Sequence, residues 1–250
     1  MDFDDLFGGN AGVDGTGAED GGDLFMFGNN ENGEGEELRD QKDSVIFLID
    51  CHASMFKQNP NNGQPTPDCD STSSIDSVLR AALSFMKTKI ITNDNDKIGI
   101  VLYGSKKSDN SLNLDNIAVM QRLDQSDAST IKSFQTQIDG FESEFGFAAK
   151  KELTPLHEAL WVCHQEFKSV EKQSFSKRVF LFTDDDNPGN EEAQAMARQR
   201  ANDLVDMNVD IELFPMPKPD NSNHFVEEDA PPQFDIKKFY ANIISFDEEH

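Results

Sequence analysis

Short unbroken apolar runs alternate along this chain with longer stretches in which apolar side chains recur at helical spacing. The first run, Val45-Ile46-Phe47-Leu48-Ile49, is rich in β-branched and aromatic residues and has polar residues on both sides. Such a run suits a central parallel strand buried on both faces. Residues 57–70, KQNPNNGQPTPDCD, show no periodicity and read as a loop. From Ser71 to Ile91 the positions of Ile75, Val78, Leu79, Ala82, Leu83, Phe85, Met86 and Ile90 predict an amphipathic helix, with N-caps available between Ser71 and Ser74. Lys97–Tyr103 (KIGIVLY) predicts a second strand, and Ile117–Leu123 a more polar one at a sheet edge.

Two further helices are expected, over Ala128–Phe141 and Thr154–Phe167. Lys177–Thr183 (KRVFLFT) is another buried strand, ending at Asp184-Asp185-Asp186. Glu191–Met207 predicts a long helix with Ala193, Ala197, Ala201 and Leu204 on one stripe. Val209–Phe214 then reads as a strand, residues 220–233 as a polar loop, Ile236–Tyr240 as a short helix and Ile243–Phe246 as a last strand. The order β-α-β-β-α-α-β-α-β-α-β implies a doubly wound α/β domain. Its Rossmann-like sheet is mostly parallel, with helices on both faces and one antiparallel edge strand.

Composition divides the chain near residue 42. Residues 1–41 hold a dozen Asp and Glu against one basic residue, Arg39, with Gly and Asn throughout. That composition predicts a disordered acidic tail, since it cannot bury enough apolar surface to offset its ordering entropy. Two related pieces within it, Asp5-Leu6-Phe7-Gly8 and Asp23-Leu24-Phe25-Met26-Phe27-Gly28, have the make-up of short docking motifs. The rest, 42–250, reads as one domain. A formal net charge of −25 over 250 residues predicts repulsion from nucleic acid and anionic membranes. Cys51, Cys69 and Cys163 form no even framework, which points to a reducing compartment, and Cys51 and Cys163 read as buried thiols. No apolar stretch reaches the roughly 18 residues a membrane span needs, and the acidic N-terminus is unlike a signal peptide. A soluble intracellular protein is expected.

Asp50 ends the first strand, where open α/β sheets place their ligands, and Ser54 follows it. The spacing resembles the start of the metal-ion-dependent adhesion site of von Willebrand factor A domains, D-x-S-x-S. The resemblance implies oxygen ligands from three loops holding Mg²⁺. Thr154, opening TPLHEAL, resembles the threonine of the second loop, and Asp184, ending LFTD, the aspartate of the third. The middle serine is replaced by His52, a poor Mg²⁺ ligand. A degenerate site at Asp50, Ser54, Thr154 and Asp184 that holds no metal is therefore expected, and no cofactor.

Enzyme chemistry finds little support. Neither G-x-x-x-x-G-K-[ST] nor G-x-G-x-x-G occurs, so no nucleotide-phosphate cradle is expected. His157-Glu158 would begin a zinc-protease motif, but Trp161 stands where its second histidine belongs. His157 and His164 read instead as surface or half-buried histidines. Asp-Asn-Pro-Gly at 186–189 reads as a turn.

Three stretches carry a narrower resemblance: Ala159-Leu160-Trp161-Val162-Cys163, Leu181 through Asn190 (LFTDDDNPGN), and Phe239 through Ser245 (FYANIIS). With DSVIFLID at 43–50 and Lys89-Ile90-Ile91, they resemble, in order, the N-terminal von Willebrand A-like domain of the smaller (alpha) subunit of the Ku heterodimer. The similarity runs from about Asp43 to Ser245. It implies a nuclear protein working with a beta subunit as a ring threaded onto double-strand DNA ends, in non-homologous end joining and telomere maintenance.

The same resemblance implies that a β-barrel with its arm, and a SAP module, lie outside these 250 residues, so that a fragment is expected. The domain itself would then dock end-joining and telomere proteins rather than clamp DNA. Helicase, ATPase and lyase labels attach to the family, but the first lysine is Lys42, far from an N-terminal Schiff-base position. The helix after the acidic turn is an interaction site in the family, and its expected solvent side holds Glu191, Arg198, Asn202 and Asp206. Two other readings stay open: a metal-dependent ligand-binding A domain of another intracellular scaffold complex, and a hydrolase or phosphotransferase using Asp50 and Asp184.

Overall fold

The computed structural model describes residues 42–57, 73–148, 155–170, 174–218 and 233–244. The acidic tail at 1–41, Cys69, Thr154 and the loop at 220–232 lie outside the described residues. Strand β1 (Lys42–Asp50) is the centre of a five-stranded sheet. It pairs in parallel with β2 (Lys97–Tyr103) on one side and β4 (Ser174–Thr183) on the other. Beyond β4 lies β5 (Asp210–Pro215), also parallel, and beyond β2 lies β3 (Ile117–Gln125), antiparallel. The order β3-β2-β1-β4-β5 reverses direction between β1 and β4. A reversal of this kind opens a crevice at the carboxyl ends of the strands.

The unbroken run at 45–49 serves two cores at once, because successive strand residues point to opposite faces. Val45, Phe47 and Ile49 join one buried cluster with α1 (Ser74–Thr92), α2 (Ala128–Asp139) and the short α3 (Phe141–Glu144). Ile46 and Leu48 join the other, built with α4 (Leu156–Ser169), α5 (Glu191–Val205) and the residues around Tyr240. Phe47 meets Phe85, Phe180 and Phe182 ring to ring, at 5.4, 5.5 and 5.7 Å between centroids. Strand β3, at the sheet edge, is buried over its first half, where Ile117 joins one core and Ala118 and Met120 the other, and is more polar and exposed towards Gln125.

Helix starts follow local chemistry. The Ser73 hydroxyl accepts the Asp76 amide at the start of α1, and the Asn190 side chain accepts the Ala193 amide at the start of α5. Glu191 and Glu192 lie in the first turn of α5, where the helix dipole favours them. The helix expected over 128–141 divides at Gly140, which ends α2 and precedes α3. The helix expected from Thr154 begins at Leu156, after Pro155.

The last expected strand does not form at 243–244. Residues 236–238 and 240–242 are instead single 3-10 turns, and the amides of Ile243 and Ile244 both donate to the Tyr240 carbonyl. Those turns seat Phe239, Tyr240 and Ile243 together in the α4–α5 core. An extended chain would send alternate side chains away from that core. Residues 245–246 lie outside the described residues. Among the described residues, no helix is long and apolar enough to cross a membrane.

Candidate functional site

The register places Asp50 beside Tyr103 at one end of the sheet, with Ile49 beside Phe182. Asp50, Thr183 and Asp184 therefore meet at the β1–β4 crevice. Asp50 is fully buried. Its Oδ1 accepts the His52 amide at 2.9 Å and also contacts His52 Nδ1. Its Oδ2 accepts the Thr183 hydroxyl at 2.6 Å. Asp184 is bound separately: the Ser54 hydroxyl donates to its Oδ1 at 2.9 Å. Thr183 Oγ1 in turn accepts the Asp185 amide at 3.0 Å. The phenol groups of Tyr103 and Tyr240 are buried in this neighbourhood, beside Thr183 and the Asp50 charge, and burial pushes their pKa values up.

His52 is wedged into this end of the sheet. Gly104, at φ +73°, lies behind it, and a Cβ there would come within 3.1 Å of the imidazole. That position therefore suits glycine twice, by its backbone conformation and by the room the ring takes. Burial works against the His52 imidazolium, but the hydrogen bond and charge of Asp50, with Asp185 and Asp184, outweigh it and raise its pKa. Asp184 is pushed up to about 6, first by burial and then by the Asp50 charge, against the Ser54 hydrogen bond.

Asp186 behaves in the opposite way. It is buried, which alone would raise its pKa, yet Lys238 and Lys218, each at 2.9 Å, and the Asp235 amide hold it at about 2. This clamp ties the acidic turn to the chain after β5. Its partners are distant in sequence, so no local pattern announced them.

These residues do not fit an adhesion-type Mg²⁺ site. Both Asp50 oxygens are engaged, Asp184 is bound by Ser54, and an imidazole nitrogen takes the position of a hydroxyl. Among the described residues, no group of three or more His, Cys, Asp or Glu is arranged to hold a metal ion. Three of the four residues expected at the degenerate site, Asp50, Ser54 and Asp184, do come together, while Thr154 lies outside the described residues.

On α5 the expected stripe faces inward: Ala193, Ala197, Ala201 and Leu204 are buried. Glu191, Asn202 and Asp206 are exposed. Arg198 departs from the expectation of a solvent-side residue. It is half-buried, with its guanidinium 5.5 Å above the centre of the Phe239 ring, where the π face attracts the cation. Two apolar residues the sequence pattern had not singled out, Met196 and Val205, are 40% and 53% exposed on this helix.

His164 also differs from the expected surface or half-buried position. It is buried, stacked on Trp161 at 4.8 Å, and its pKa is lowered by burial and by Lys168 and Arg200. Arg200 lies 4.0 Å above the same indole. His157 is half-buried. Cys51 and Cys163 are buried free thiols, as expected.

Comparison with known proteins agrees with this architecture. The family model for the Ku70/Ku80 N-terminal alpha/beta domain matches residues 44–250. The chain is 31% identical to the "ATP-dependent DNA helicase ku70" of Dictyostelium discoideum, over 99% of its own length and 26% of that relative. It is 31% identical to the "X-ray repair cross-complementing protein 6" of Mus musculus, over 86% of its length and 33% of that relative. The "ATP-dependent DNA helicase II subunit 1" of Aspergillus sojae is 32% identical over 81% of this chain and 31% of its own. The chain thus spans between a quarter and a third of the length of these curated relatives.

Proposed function

Because the chain belongs to the Ku70/Ku80 N-terminal alpha/beta domain family, we propose that it is the protein-docking domain of a Ku alpha subunit. The full-length protein, paired with a beta subunit in the nucleus, would hold double-strand DNA ends for non-homologous end joining and telomere maintenance. DNA grip is assigned to other parts of the heterodimer, since a formal charge of −25 opposes phosphate contact here. The role of this domain is to receive end-joining or telomere proteins.

The observation that carries this reading is the outward face of α5. Glu191, Asn202 and Asp206 are exposed on it, the exposed side chains of Met196 and Val205 lie on its two opposite flanks, and the buried alanine stripe anchors the helix to the sheet. Exposed apolar residues among charged ones suit a protein interface. Arg198 borders the face and is held by Phe239. The domain is read as non-catalytic, although several relatives are named helicases.

The test uses the full-length chain with its beta subunit and the triple variant Glu191→Lys, Asn202→Lys, Asp206→Lys. Loss of co-purifying repair or telomere factors, with DNA-end affinity within about twofold, is the expected result. Loss of DNA-end binding with partner capture intact would overturn the assignment.

A further inference from the structure

We propose that the His52 side chain takes the place of the divalent cation at the β1–β4 edge, closing the site to metal, and that His52→Ser alone opens it to Mn²⁺ or Mg²⁺. A metal held at this edge would need the lone pair of Asp50 Oδ1 that the His52 ring now takes. The structure gives Oδ1 to His52, through both its amide and its ring, and Oδ2 to the Thr183 hydroxyl. The second carboxylate, Asp184, is bound by Ser54 rather than by a bridging ion.

The imidazole is held there by more than one contact. Its side chain is 16% exposed, its ring lies 6.2 Å from that of Tyr103 at 72°, and Gly104 leaves the space behind it. A ring so confined cannot swing away to admit an ion without giving up the Asp50 hydrogen bond. Its removal would change the chemistry of the pocket. Serine would put a hydroxyl oxygen near Asp50 Oδ1, beside the Ser54 hydroxyl and the Asp184 carboxylate, with a void where the ring stood. Oxygen donors of this kind suit Mg²⁺ and Mn²⁺, whereas the nitrogen ring does not. The consequence for function is that recognition at this edge of the sheet proceeds without a metal bridge. The inference concerns a different surface from the outward face of α5 and stands independently of the docking role given to that helix.

Mn²⁺ titration of the full 250-residue chain, followed by calorimetry and by the spin-resonance signal of free Mn²⁺, provides the test. Wild type should show no saturable binding at micromolar Mn²⁺. The His52→Ser variant should bind at least about tenfold more tightly, and the double variant His52→Ser, Asp184→Asn should lose the gain. Micromolar binding by wild type, or a folded His52→Ser variant with no gain, would overturn the proposal. Should His52→Ser not fold, thermal unfolding of wild type decides: an ion that binds the native state raises the melting temperature. No shift with millimolar Mn²⁺ upholds closure, and a clear rise refutes it.

Discussion

Phe47 stands where three ring contacts converge, on the sheet face that α1 covers. Truncating it leaves a cavity bounded by Phe85, Phe180 and Phe182 that the sheet cannot collapse to fill. Phe47→Ala is expected to cost about 3–5 kcal/mol, read as a fall in the urea midpoint with unchanged slope. The neighbouring carboxylates differ in how they respond to acid. Asp186, held at about 2 by Lys238 and Lys218 against an ordinary 3.8, contributes stability above the unfolded value that is lost as pH falls through about 4 towards 2. Asp184, raised to about 6, has the reverse sign: its contribution is full below the ordinary 3.8 and is lost as pH rises through 6. Melting curves across pH should therefore show Asp186→Asn flattening the acid limb below about pH 4, and Asp184→Asn flattening the decline from about pH 4 to 6. A single window affected by both variants would contradict the separate clamps.

Helix α5 combines a well-capped start with an ill-suited end. Asn190 accepts the Ala193 amide and two glutamates follow it, but the last turn has no basic residue and Asp206 sits at the negative end of the dipole. Asn190→Ala should cost about 1 kcal/mol in denaturant unfolding. Asp206→Lys should raise stability by about 0.5 kcal/mol, because a cation suits that end of the helix. If Asp206 is part of the docking face, the same variant gains melting temperature while losing partner capture. Gain of stability with capture intact would remove Asp206 from the interface. The alanine stripe of this helix was legible, since 3.6-residue periodicity marks which side is buried. The half-burial of Arg198 was not, because Phe239 approaches it from a turn far along the chain.

Across the whole molecule, the five apolar runs, their order and the antiparallel edge were readable from period and length. A strand buried along its whole length on both faces, such as β1, reads as continuously apolar, while the edge strand β3 carries exposed polar residues over its second half. The crevice at Asp50 followed from that order, while the expectation about His52 came from the departure of the sequence from the D-x-S-x-S pattern. The end of the described chain was misread as a strand because Ile243-Ile244 is apolar and β-branched, a local preference that packing overrode. Sequence by itself thus determined which segments become strands and helices, and which residue types meet at the carboxyl edge, because both follow from short-range periodicity and chain order. Only the tertiary structure decided which oxygen of Asp50 each neighbour takes, that Lys218 and Lys238 clamp Asp186, and that Arg198 lies on Phe239. Those contacts join residues far apart in the chain, and their geometry exists only once the sheet and its helices have packed.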